Sequence, residues 1–298
     1  TSGYQTMLKN IGSIENQGYE LSIESDNLTG PFSWTTAFNI SFNRNKVLEL
    51  GGEDYKEMAE GDGHIKTGSV RRLIAGEPIG VFYGYRFDGI FQNEEECKQQ
   101  TSSASPIGVG LRRYKDLNGD GKVDAANDRE ILGDANPKFF GGLTNTFAYK
   151  GFELNVFLQY SYGNKILNYN AMELENPTGG QNAYADMVNR WTPENPSNIY
   201  PKATTNRAIL ASDRFIEDGS YLKLKTLSLS YSFPKINMKH IQGLRLYVTG
   251  QNLLTWTKYR GYDPEVSYRG ASTLEAGEDF GGYPQSRTFM FGVKLDIK

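Results

Sequence analysis

Apolar and polar residues alternate along this chain over runs longer than an ordinary strand requires. From Phe32 the even positions read Phe32, Trp34, Thr36, Phe38, Ile40 and Phe42, and the odd ones Ser33, Thr35, Ala37, Asn39 and Ser41. Phe152, Leu154, Val156, Leu158 and Tyr160 repeat the pattern against Glu153, Asn155, Phe157 and Gln159, and Phe289, Phe291, Val293, Leu295 and Ile297 against Thr288, Met290, Gly292, Lys294 and Asp296. A period of two places successive side chains on opposite faces of a strand. In Tyr221–Phe233 the apolar phase moves from even (Leu222, Leu224) to odd (Leu227, Leu229, Tyr231, Phe233), which predicts a bulge near Lys225-Thr226. Further strands are expected over 19–24, 80–87, 139–149 and 244–251, giving about eight to ten in all.

Strand length separates two architectures. Globular strands run mostly to about 5 or 6 residues, whereas a tilted strand crossing a bilayer needs about 9 to 11. The connections divide in the same sense. Tyr149-Lys150-Gly151 and Asn27 to Pro31 are tight turns, while 92–111, 168–213 and 257–287 are long and polar. Short turns at one rim and long loops at the other mark a membrane β-barrel. Asp186 to Trp191 reads as a helical turn within one long loop.

Composition narrows the picture. The 298 residues include 19 Tyr, 16 Phe, 3 Trp and 33 Gly, with a net charge of −3. This aromatic content excludes a disordered chain, and the balanced charge without basic runs gives no footprint for nucleic acid. No apolar stretch approaches the ~18 residues of a spanning helix, and mean hydropathy is −0.55. A single cysteine, Cys97, forbids an intrachain disulfide. The chain opens on Thr1-Ser2-Gly3 without the charged start and apolar core of a leader, as a mature chain or a piece of one would.

Candidate chemistry is sparse. His64 and His240 have no second ligand at metal spacing, Glu94-Glu95-Glu96 is a solvated charge run, and no nucleophile elbow or phosphate loop occurs. An enzyme therefore has no positive support. One segment does suit Ca²⁺: Asp116, Asn118 and Asp120 stand at positions 1, 3 and 5 of a loop, Gly121 at 6, and Lys122 at 7 to offer its carbonyl. Asp124 follows at position 9, position 12 is Asn127, and Asp128 falls one place late. The expectation is a structural Ca²⁺, weighed against an Asx- and Gly-rich turn that closes without metal.

Several segments together resemble the SusC/RagA family of TonB-dependent outer-membrane transporters. They are Asn10 to Leu21, Gly76-Glu-Pro-Ile-Gly80 to Tyr85 with Asp88 to Phe91, Tyr114 to Gly121 with Asn127-Asp-Arg129, and Asn136-Pro-Lys-Phe139. Asp218-Gly-Ser-Tyr-Leu-Lys-Leu-Lys225 and Gly250-Gln-Asn-Leu253 through Tyr259 to Glu265 complete the set, so that the likeness runs in order through the whole chain.

The resemblance implies an all-β fold, an antiparallel transmembrane β-barrel of about 22 strands, of which residues 1–298 would be the C-terminal part, with the plug and the N-terminal strands outside this sequence. It also implies an outer-membrane location of the Gram-negative, Bacteroidota type and import of oligosaccharides or peptides. The implied partners are a SusD-like surface lipoprotein, TonB, and outer-membrane lipid. Family loops of the Asp116 type commonly carry an acid at position 12, from which this chain departs. On this reading Trp34, Tyr160 and Tyr231 belong to the interfacial girdle, and Ser33, Asn39, Glu153, Gln159, Ser228, Lys294 and Asp296 face the lumen. Two alternatives are a soluble Ca²⁺-binding β-sandwich acting as a carbohydrate-binding module, and a siderophore or cobalamin receptor sharing the barrel.

Overall fold

The computed structural model describes residues 12–58, 68–176, 182–205, 209–234, 240–265, 267–270 and 272–297. His64 and the first residues of the Asn10 segment lie outside them.

Seven long strands form one antiparallel sheet in chain order. They are β1 (Ser13–Leu28), β2 (Phe32–Glu49), β3 (Phe139–Tyr149), β4 (Phe152–Tyr162), β5 (Tyr221–Ser232), β6 (Ile241–Thr257) and β7 (Thr288–Ile297). Each pairs only with its sequence neighbours, the up-and-down order of a barrel wall. Seven of the predicted segments are here, several of them longer than their apolar runs. The eighth, 80–87, is not a wall strand. Its residues Val81–Tyr85 pair with Arg129–Asp134 in a small sheet among the loops.

The turns follow from their residues. β3 and β4 are joined by Lys150 and Gly151 at φ of +46° and +88°. Two left-handed residues give the hairpin turn whose twist matches its strands, and glycine holds the second position without steric cost. The predicted bulge is present: pairing of β5 with β6 slips between Leu224 and Thr226, and pairing with β4 between Phe157 and Leu158. The helical turn expected near 186–191 is a 3₁₀ helix over Ala185–Asn189.

Short connections at 29–31, 150–151 and 233–240 leave one rim of the sheet, and the long ones at 50–138, 163–220 and 258–287 leave the other. The fully buried core belongs to these long connections. Val70, Phe82, Leu167, Tyr169, Met172, Ile209 and Phe215 form it, with helix α1 (Tyr169–Leu174) at its centre. The wall carries instead a face of exposed Leu, Val, Phe and Tyr. Among the described residues no second sheet packs on that face, so the sandwich alternative lacks its defining layer.

Candidate functional site: a two-faced wall and its pinned loops

Pairing register sorts the wall side chains into rows, because directly opposed residues of antiparallel strands share a face. One row runs Ile23, Phe38, Leu143, Leu158, Leu224, Leu254, and another Trp34, Phe147, Leu154, Leu229, Val248, Phe291. The opposite face holds Thr35, Thr146, Asn155, Ser228 and Thr249 in one row, and Ser33, Glu153 and Ser230 in the next. The residues expected to face the lumen in β2, β4, β5 and β7 therefore share one polar surface.

Aromatic residues bound the apolar face. Tyr149, Phe152 and Tyr231 gather at the turn rim, with Phe152 and Tyr231 centroids 4.5 Å apart. Phe139, Tyr160 and Tyr162 gather at the loop rim, where Phe139 and Tyr162 stack at 5.0 Å. The 11 residues of β3 connect the two groups. At about 3.3 Å per residue they span about 33 Å, or about 25 Å once tilted by ~40°, the height of an outer-membrane apolar band.

Polar groups on the apolar face are paired. Asn145 Oδ1 accepts from Trp34 Nε1 at 2.9 Å and from Thr36 Oγ1 at 2.8 Å, and Asn27 Nδ2 donates to Thr36 Oγ1 at 2.7 Å. Hydrocarbon offers no replacement partner, so these bonds remove what would otherwise be a penalty on the wall.

On the polar face hydrogen bonds run from strand to strand. Arg245 reaches Glu153 and Ser230 Oγ, Ser228 and Thr249 hydroxyls meet at 2.8 Å, and Asn155 Nδ2 donates to Thr146 Oγ1 at 2.9 Å. Lys223, 1% exposed, projects from the same face of β5. Its Nζ lies 2.6 Å from Asp263 Oδ1 and also bonds Glu265, which takes Lys225 Nζ at 2.8 Å. The 258–287 loop is thereby fixed to the wall. Burial alone would raise the Asp263 and Glu265 carboxyls; the lysine hydrogen bonds and charges outweigh it and hold both below the usual carboxylate range.

The same loop is anchored to the loop core. Arg71 is buried with its guanidinium over the Phe82 ring at 4.2 Å, its Nε donating to Glu278 Oε1 at 2.7 Å and its NH1 to Gly80 O at 2.8 Å. Tyr259 Oη donates to Asp279 Oδ2 at 2.5 Å, and burial together with that carboxylate pushes its phenol above the ordinary range. Glu175, also buried, takes Arg214 NH2 at 2.8 Å and Arg260 NH1 at 2.7 Å. These pairs join segments far apart in the chain and have no local signature; the Gly76–Tyr85, Asp218–Lys225 and Tyr259–Glu265 segments stood out beforehand, as parts of the family resemblance.

The acidic loop closes on its own amides. Asp116 accepts from Gly119 N and Gly121 N, Asn118 Oδ1 from Asp120 N, and Asp120 Oδ1 from Lys122 N. Lys122 Nζ pairs with Asp124 at 3.1 Å, and the hydrogen bond from that ammonium, with the Asn127 and Ala126 amides, lowers the Asp124 carboxyl. Asp128, fully buried, joins the loop ends by accepting from Leu117 N and Asp124 N. Among the described residues no group of three or more acidic, His or Cys side chains converges as a metal site. His240 lies exposed before β6, apart from the site.

Comparison with known proteins gives consistent neighbours. The chain is 40% identical over 99% of its length to TonB-dependent receptor P3 of Formosa agariphila, and 28% identical over 98% to TonB-dependent receptor SusC of Bacteroides thetaiotaomicron. It spans 30% and 27% of those proteins. A solved RagAB peptide transporter superposes on 99% of the chain with a TM-score of 0.76 at 24% identity, the chain covering 30% of the solved one. No family model matches the chain.

Proposed function

We propose that this chain, which is similar over nearly its whole length to TonB-dependent receptors including SusC and shares the fold of a solved RagAB transporter, belongs to the SusC/RagA family and forms the C-terminal part of a barrel that imports oligosaccharides or peptides. The whole protein would be energised through TonB and capped by a SusD-like lipoprotein. This part supplies wall and outer loops, while the plug and the remaining strands come from the rest of the protein. The observation that carries the reading is the division of the seven-stranded wall: an apolar face about 25 Å tall between aromatic rims, and a polar face cross-linked by hydrogen bonds and locked to a loop layer through Lys223.

An open sheet cannot stand alone in lipid. The outer edges of β1 and β7 would leave backbone N–H and C=O groups unpaired in hydrocarbon, at several kcal/mol each. Closure by further strands follows from that cost. The polar face then lines a water-filled lumen, and the pinned loops form the external vestibule where solute first meets the protein. The relatives are TonB-dependent receptors rather than enzymes, and the likeness to SusC favours oligosaccharide or peptide import over the siderophore and cobalamin alternative.

The experiment is uptake by cells carrying or lacking the full-length gene, with labelled oligosaccharides and labelled peptides, before and after collapse of the proton gradient. Gene- and gradient-dependent uptake of either class is the expected result. Uptake indifferent to both would contradict the reading. Pull-down of the full-length protein tests the lipoprotein partner.

Calcium at Asp116, Asn118, Asp120, Lys122, Asp124 and Asp128 is likewise a proposal, supported by the loop spacing. Binding has to displace the Lys122–Asp124 ion pair and draw carboxylates away from their amides, so an affinity in the weak, extracellular range is expected.

A further inference from the structure

The apolar face is not level at its loop rim. Tyr160 and Tyr162 of β4 both lean toward β3. Tyr160 crosses Gly141, where a Cβ would lie 2.7 Å from its Oη, and donates to Asn39 O at 2.8 Å. Tyr162 stacks on Phe139 at 5.0 Å. On the β5 side little bulk replaces them. Ser161 pairs with Tyr221, so the position beside Tyr162 falls to Ser220, one residue before β5. A groove of about 570 Å³ is left between the two tyrosines and Trp256 of β6. Leu222, which lies between Tyr160 and Trp256 in the pairing register, is its floor.

The upper edge of the groove is charged. Lys258 follows Trp256 by two residues, so it projects outward on the same side, and it is exposed. Asp218 shares that edge. Its Oδ1 accepts from Ser220 N at 3.0 Å and from Ser220 Oγ at 2.6 Å, which leaves Oδ2 to an incoming donor. Lys258 and Lys165 are near enough to act on this carboxylate through their charge.

Position and charge together restrict the occupant. The groove is continuous with the face that meets hydrocarbon, and it opens at the level where an aromatic belt meets lipid headgroups. Membrane lipid therefore reaches it directly. A purely apolar occupant would leave Lys258 and Asp218 unanswered, and a headgroup that is phosphate alone would answer Lys258 while opposing Asp218. A phosphorylated sugar headgroup supplies an anion for the ammonium and hydroxyl donors for the carboxylate, and its acyl chains cover the rings below. We propose that this groove seats one phosphorylated glycolipid of the outer leaflet, with its phosphate at Lys258, a sugar hydroxyl donated to Asp218, and an acyl chain over Leu222 between Tyr160 and Trp256. The proposal rests on the wall reading above. Its volume falls within the ~300–1,000 Å³ of small-molecule sites, so the groove takes the headgroup and the first part of a chain while the remaining chains stay in the bilayer.

The test uses the full-length protein in a non-ionic detergent, with monophosphoryl lipid A as the probe and native mass spectrometry as the readout. Phosphatidylglycerol, which carries the same charge without the sugar, is the comparison. The wild type should retain monophosphoryl lipid A in preference to phosphatidylglycerol. Lys258→Gln should weaken that retention about fivefold, as for one lysine against an anionic headgroup. Leu222→Trp, which raises the floor of the groove, should weaken it further. Both positions lie on the outward surface, and heat-modifiable gel migration establishes that each variant is folded; if one misfolds, the other decides. Failure of the wild type to retain the lipid overturns the proposal, as does equal retention of phosphatidylglycerol or retention unchanged in a folded variant. A groove covered by a second protein chain is also a contrary result: the variants would then lower the mass of the assembly and leave the bound lipid unaltered. The groove and the wall fail separately. A heat-modifiable protein extracted from membranes that retains no lipid A defeats the groove and leaves the wall standing, whereas a full-length protein recovered in buffer without detergent defeats the wall itself.

Discussion

Lys223 of β5 and Asp263 of the 258–287 loop face each other at 2.6 Å, both buried, and join the barrel wall to the external loops. Removing one partner of a buried pair strands the other charge, at about 3–5 kcal/mol. Lys223→Met is therefore expected to destabilise the full-length protein by that order and to open the loop to protease. The double variant Lys223→Met/Asp263→Leu should recover part of the loss, since no unpaired charge then stays buried. Limited proteolysis and thermal unfolding in detergent measure both. Equal loss in single and double variants would contradict the pairing.

The same contact carries a pH dependence. Asp263 and Glu265 have carboxyls depressed in the folded state. Their stabilisation is fully present above the unfolded carboxylate values near pH 4, and declines as pH falls through the lower folded values. Protease protection of the 258–287 segment should be constant from neutral pH to about pH 5 and fall only in stronger acid. A loss centred between pH 6 and 8 would rule these carboxylates out as its source.

The face assignment predicts unequal tolerance of charge. Phe38→Arg, in the row midway between the aromatic rims, should cost about 2–4 kcal/mol in bilayer-reconstituted protein. Thr144→Arg, on the polar face of β3, should cost far less. Denaturant titration in vesicles compares the two, and equal tolerance would refute the assignment.

Gly151 offers a backbone test. At φ of +88°, with an added Cβ only 2.6 Å from Ser232 O, it suits glycine alone. Gly151→Ala should lower stability by about 1 kcal/mol or more. Lys150→Asn, at φ of +46°, should be neutral, because asparagine accepts the left-handed region. Refolding yield and unfolding midpoint both report the difference.

If the acidic loop takes metal, millimolar Ca²⁺ should raise the unfolding temperature of the full-length protein, and Asp120→Ala should abolish the rise. Mg²⁺, which demands a tighter octahedral shell, should be less effective.

The wall was legible in the sequence because its determinants are local. Alternation marks the faces, Lys150-Gly151 the turn, and the change of phase at Lys225-Thr226 the bulge. The strand ends were less legible: β2 continues through Asn43, Arg44, Asn45 and Lys46, where side chains on both faces are polar and the strand is sustained by its backbone ladder with β1 and by hydrogen bonds from Arg44 NH1 to Lys138 O, from Asn45 Nδ2 to Asn136 Oδ1 and from Ile79 N to Asn45 Oδ1. Val81–Tyr85 looks like a wall strand by composition, yet it is buried on both faces among the loops, a distinction a short apolar run does not express. The Arg71–Glu278 contact spans 207 residues of sequence and leaves no periodic trace.

The central claim, that this sheet is a barrel wall with one face in lipid and one in water, is tested most directly by spin labels placed one at a time along β4, in full-length protein with Cys97 replaced and reconstituted in bilayers. Accessibility to oxygen, which partitions into lipid, should peak at Leu154, Val156 and Leu158. Accessibility to a water-soluble nickel chelate should peak at Glu153, Asn155, Phe157 and Gln159, giving two profiles of period two and opposite phase. Profiles in phase, or a chelate reaching Leu154 and Val156 as readily as Asn155, would contradict the account.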